Sequence, residues 1–147
     1  MESSNQGIAV LQRLREMLER QREKFGAYLG LLEQEQLSIE AADVPRLLAQ
    51  VEMERALIAE IFALRKVIGP LEELYTAAYP EGENTVPAIR AVLAAMGAEI
   101  RKRNQANRAL LARKVEELRL EISSLRGWPR MGSPFAQTTP GFIDIRT

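Results

Sequence analysis

Apolar residues recur along three stretches of this chain at the spacing of helices that pack on one another. In the first, Leu11, Leu18, Phe25, Leu32 and Ile39 fall every seven residues, with Leu14 and Tyr28 at the complementary positions. That is a coiled-coil-like seam, interrupted by Gln21 and Glu35. The second stretch presents Leu47, Val51, Ile58, Ile61, Phe62, Ile68, Leu71 and Tyr75 at helical spacing. In the third, Ile89, Leu93, Met96, Ile100, Leu111, Val115, Leu118, Ile122 and Leu125 fall on one long stripe. Asn104 and Asn107 sit in the middle of it.

The punctuation between these stretches supports three helices. Ser3 or Ser4 is placed to cap the first, since either hydroxyl can accept from a free amide of the opening turn. Asp43 can cap the second, and Pro45 is tolerated just inside it because its missing amide has no intrahelical partner there. Pro70, after Gly69, clashes with the carbonyl of residue 66 and predicts a kink or a short break. Tyr79-Pro-Glu-Gly-Glu-Asn84 reads as a loop, after which Thr85 caps the third helix with Pro87 near its start. From Gly127 the helical period stops. Three prolines and three glycines between Gly127 and Thr147 leave two apolar clusters, Trp128-Pro129 and Phe142 to Ile145.

These elements predict an all-α fold, a long antiparallel three-helix, coiled-coil-like bundle over residues 1–126, with an irregular, mobile C-terminal tail over 127–147. A first helix of nearly forty residues is unstable alone in water and has to lie against the others. Each seam leucine it buries contributes roughly 1.5–3 kcal/mol. Homodimerisation, doubling the bundle, stays open at this point.

Composition narrows the function classes. With no cysteine and no histidine among 147 residues, disulfides, thiol nucleophiles, the usual zinc sites and the commonest general base are all absent. No cofactor is expected, and no catalytic, cofactor-binding or metal residue is assigned. Nor does the start of the chain pair a basic segment with an apolar core, and the longest nearly unbroken apolar run, Ala91 to Ala98, falls far short of a membrane span. The expectation is a soluble, cytoplasmic protein without membrane insertion. Net charge is zero but uneven: residues 1–84 carry 9 basic against 15 acidic side chains, and residues 85–147 carry 11 against 5. Antiparallel helices that neutralise one another account for this. The basic residues of the third helix spread around its circumference with no aromatics interleaved, which argues against nucleic acid.

Two polar groupings remain. Glu33, Glu35, Glu52 and Glu54 could suggest a carboxylate cluster, but without a Glu-x-x-His motif they read as solvated helix charges. Asn104 and Asn107 have two readings: the stripe is wet at its centre, or buried amides set the register of the bundle.

Some of these residues also carry a family resemblance. Leu31-Leu-Glu-Gln-Glu-Gln-Leu37 through Asp43, Leu47, Val51, Arg55, Leu57-Ile58 and Ile61 resembles the leucine-rich first hairpin of the FlgN family of bacterial flagellar export chaperones. Arg103-Asn-Gln-Ala-Asn-Arg-Ala-Leu-Leu111 resembles the Asn-x-x-Asn-x-x-Leu region on that family's last long helix. The resemblance implies a cytoplasmic chaperone that holds hook-filament junction proteins of the FlgK and FlgL type and passes them to the flagellar export apparatus. It also implies partner contacts on the final helix and the segment after it, here Val115, Leu118, Ile122, Leu125 and Trp128. The chain departs from the family after Leu125. Gly127-Trp128-Pro129 stands where members often carry a tyrosine-and-glycine segment, and Phe142 to Thr147 has no counterpart. The rival reading is a structural coiled-coil subunit or adaptor with a permanent helical partner.

Overall fold

A computed structural model of the chain describes residues 2–125. It forms three helices, α1 (Glu2–Glu40), α2 (Val44–Ala78) and α3 (Thr85–Ser124), and no strand occurs among the described residues. The expected tail, with Trp128, lies outside the described residues.

α1 is the central helix, and α2 and α3 both pack along it. Its buried face is wider than a two-position seam. Met17, Leu31 and Ser38 join the heptad residues, as do the supposed interruptions Gln21 and Glu35. A broad stripe follows from having two partners on one helix. Leu14, Leu18, Phe25, Tyr28 and Leu32 form the main core with Ile58, Ile61 and Ile68 of α2 and Val86, Leu93 and Ile100 of α3. A smaller cluster at the far end joins Ile39 and Leu47 with Leu110 and Leu111.

The α1–α2 connection is tight because one residue serves both helices. Asp43 donates its amide to the Ser38 carbonyl at 2.9 Å, and Ala42 donates to Ile39 at 3.0 Å. Together these form a Schellman ending for α1. Ala42 takes the left-handed position of that motif at φ 53°, a conformation that disfavours any Cβ. The Asp43 carboxylate then accepts the Arg46 amide at 3.2 Å, capping α2 as its sequence predicts. α2 runs back antiparallel to α1, and Gly7 near the start of α1 lies against Ala78 and Tyr79.

Four local expectations need correcting. α1 begins at Glu2, ahead of the serines. The short break at Gly69-Pro70 does not form: α2 stays helical through it, with Ile68 and Tyr75 packed on either side of Pro70. Thr85 is not the cap of α3 but its first residue. The cap side chain is Glu83, whose carboxylate accepts the amides of Thr85 and Val86, each at 2.9 Å, and the Thr85 hydroxyl at 2.6 Å. Phe62, grouped with the core by its spacing, lies exposed with Arg65 5.8 Å from its ring.

α3 runs parallel to α1. It reaches α2 through Arg90, which pairs with Glu72 at 3.0 Å and lies 5.8 Å from the Tyr75 ring centre. Between the three helices an open cleft of about 560 Å³ is lined by Leu18, Phe25, Ile68, Gly69, Arg90 and Leu93, among others.

Candidate functional site

The register between α1 and α3 decides which part of α3 is left uncovered. Asn107 donates its side-chain amide to the Leu32 carbonyl at 2.9 Å, an offset of 75 residues, and Asn104 reaches the Tyr28 hydroxyl at 3.4 Å, an offset of 76. Carrying the 75-residue offset to Glu40, where α1 ends, arrives at Val115. α3 therefore has no stretch of α1 beside it from Glu116 onward, and every residue from Glu116 to Leu125 is exposed. Ten residues make an overhang of ~15 Å.

The residues singled out for partner contact divide at this boundary. Val115 is partly covered and sits at the rim. Leu118, Ile122 and Leu125 stand on the overhang at 37%, 46% and 56% exposure. With Leu111 they continue the alternating four-and-three spacing of a helical seam, from positions packed inside the bundle to positions in solvent. Apolar residues in this pattern offer a ridge for an amphipathic helix. Trp128 lies outside the described residues.

Asn104 and Asn107 are both buried, so the centre of the stripe is dry. They belong to a polar layer that the charged look of the sequence had concealed. Glu35 of α1 and Glu54 of α2, read as solvated charges, are completely buried, whereas Glu33 and Glu52 are exposed. The Tyr28 hydroxyl donates to Glu54 Oε1. As acceptors, both Glu35 oxygens, Glu54 Oε2, Asn104 Oδ1 and Gln50 Oε1 meet no donor.

Two carboxylates without solvent are costly as anions. Burial raises the pKa of Glu35, and the adjoining Glu54 raises it further, both by accepting the Glu35 proton and through its charge. Burial raises Glu54 as well, against the lowering effects of the Tyr28 hydroxyl, the Glu35 hydrogen bond and the charges of Arg108 and Arg55. The pair thus keeps a proton at neutral pH, and a protonated Glu35 supplies Glu54 with the donor its second oxygen lacks. Burial and the bond to Glu54 also push the Tyr28 hydroxyl far above its ordinary value, so it stays neutral. With no surface exposed, neither carboxyl meets a solute in this conformation. The sequence did hold a signal for this layer: Glu54 occupies the same heptad position as Leu47, Ile61, Ile68 and Tyr75, and Glu35 the same position as Tyr28.

The fold and its features define a class, a three-helix protein with a polar layer inside and an apolar ridge at one end. The chain belongs to the same family as an uncharacterized protein of Treponema pallidum (strain Nichols), with which it is 35% identical over 119 residues, 81% of this chain and 77% of the relative. No protein-family model and no solved structure matches it. No described helix is long and apolar enough to cross a membrane.

Proposed function

We propose that the protein is a cytoplasmic chaperone of flagellar type III export, holding hook-filament junction proteins of the FlgK and FlgL type before they are handed to the export apparatus. The observation that carries this reading is the overhang of α3. Leu118, Ile122 and Leu125 extend the bundle's own seam into solvent, where an amphipathic client helix would complete it. The resemblance of the Leu31–Ile61 and Arg103–Leu111 stretches to the FlgN family supplies the client class. The reading needs no catalytic group and assigns none.

Leu118→Asp tests it. Because Leu118 stands beyond the cover of α1, the variant should melt almost as the native protein does while losing its hold on the C-terminal helix of a FlgK- or FlgL-type protein. A variant that still binds that helix at native strength removes the site. A client that stays bound permanently as part of an assembly, without release, favours a structural adaptor instead.

A further inference from the structure

Besides the seam it presents to α1, α2 carries a second one that faces solvent. Met53, Glu60, Val67 and Leu74 recur every seven residues, and Ala49, Ala56, Ala63, Pro70 and Ala77 fill the complementary positions between them. All are exposed, Met53 by 57%, Val67 by 44% and Leu74 by 54%. Half-buried Leu57, Leu64 and Leu71 lie beside this seam and also pack on the core, so apolar surface continues from the interior to the outside of the helix. A helix that is apolar around so much of its circumference is ordinarily covered.

We propose that this face is covered by α2 of a second copy of the chain, in an antiparallel two-fold pair. The division of sizes selects that occupant. Reversing one helix against the other sets each large position of one copy against a small position of its partner. Leu74 meets Ala49, Met53 meets Pro70, Val67 meets Ala56, and Glu60 meets Ala63, so the layers are filled evenly along the whole seam. A parallel pair would set like against like, with alanine layers left underfilled between layers of two bulky residues. Glu60, already held by Lys24 at 2.6 Å, is the one charged seam residue, and the reversed register brings it within a turn of the partner's Lys66. From Ala49 to Leu74 the contact runs ~39 Å, long enough for an interface of ordinary size. A two-fold pairing is also closed, because it uses the same patch on both copies. The ridge on α3 lies outside this face, so the pairing and the chaperone reading stand or fall separately.

Sedimentation of the full-length protein should give twice the monomer mass. Val67→Asp and Ala56→Phe change exposed residues, so each should leave the helical circular dichroism intact and give the monomer mass at the same concentration. Because the chain has no cysteine, single cysteines then report the orientation. With a short thiol-to-thiol cross-linker, Ala63→Cys should link two copies. Ala77→Cys should not, since its two copies sit roughly 45 Å apart along the pair at 1.5 Å per residue. A native protein that stays monomeric overturns the proposal. So does a dimer indifferent to Val67→Asp, or one that cross-links at both positions.

Discussion

The side-chain amide of Asn107 lies 2.9 Å from the carbonyl of Leu32, joining α3 to α1 within the buried polar layer. This bond and its neighbour from Asn104 to Tyr28 span the helices in a register in which α3 outruns α1. A leucine seam alone tolerates a slip of one heptad, because one apolar layer resembles the next. A buried amide is more selective, since a slip of one heptad takes Asn104 away from the Tyr28 hydroxyl. Asn107→Ala should therefore cost about 1–2 kcal/mol through the lost hydrogen bond and the vacated volume, read from chemical denaturation. Native stability in that variant would show that the bond is dispensable.

The acid pair at Glu35 and Glu54 predicts an unusual pH dependence. Its raised pKa values mean that the folded chain holds protons which the unfolded chain releases above about pH 4.3. Stability from this pair is greatest in acid and falls as the pH rises from that point towards the folded pKa values. The Tyr28 hydroxyl bonds Glu54, and the charges of Arg108 and Arg55 act on it from the surface. Glu35→Gln keeps the shape and the donor of the protonated acid without the titration. It should raise stability at pH 8 by about 1–3 kcal/mol and change little at pH 4. Parallel stability curves for the two proteins across that range would rule the protonated pair out.

Glu83 gives the opposite sign. Desolvation would raise its pKa, but bonds from the Thr85 hydroxyl and the amides of Val86, Thr85 and Asn84 together outweigh it and bring the carboxyl down to about 2. Its stabilisation is present above the unfolded carboxyl range and is lost as the pH falls through about 2. Glu83→Ala should cost about 0.5–2 kcal/mol at neutral pH, as the loss of a helix cap does. The difference between the two proteins should close in strong acid, and a constant difference would show that Glu83 acts through something other than its charge.

Ala42 is strained by its own Cβ in the left-handed turn between α1 and α2. Ala42→Gly should stabilise the protein by about 1 kcal/mol, since glycine takes this conformation without penalty. A fall in melting temperature would mean that the added freedom of the unfolded chain outweighs the relief.

Ile100 and Leu118 occupy one sequence stripe and differ in cover. Ile100→Asp puts a carboxylate into the closed core and should unfold the protein or cost more than about 4 kcal/mol. Leu118→Asp should stay within about 0.5 kcal/mol of native stability. Comparable losses from both would place Leu118 under cover in solution.

Periodicity and punctuation were enough to determine the three helices, their order and most of the core, because burial on a long helix repeats with the helical turn and leaves a regular trace in the chain. Asp43 as a cap was legible for a similar local reason. The tertiary structure decided what spacing cannot express. Glu35 and Glu54 look like solvated charges until α1 and α2 close over both and burial forces a proton onto the pair. Pro70 reads as an interruption until packing at Ile68 and Tyr75 carries α2 through it. Along the stripe of α3 the apolar residues on either side of Asn104 and Asn107 look alike, yet Ile100 is sealed and Leu125 lies in solvent. That difference is set by where α1 stops and by the register of α3 against it. A periodic sequence states which face of a helix is apolar, and only the length and register of its neighbours state how much of that face is covered.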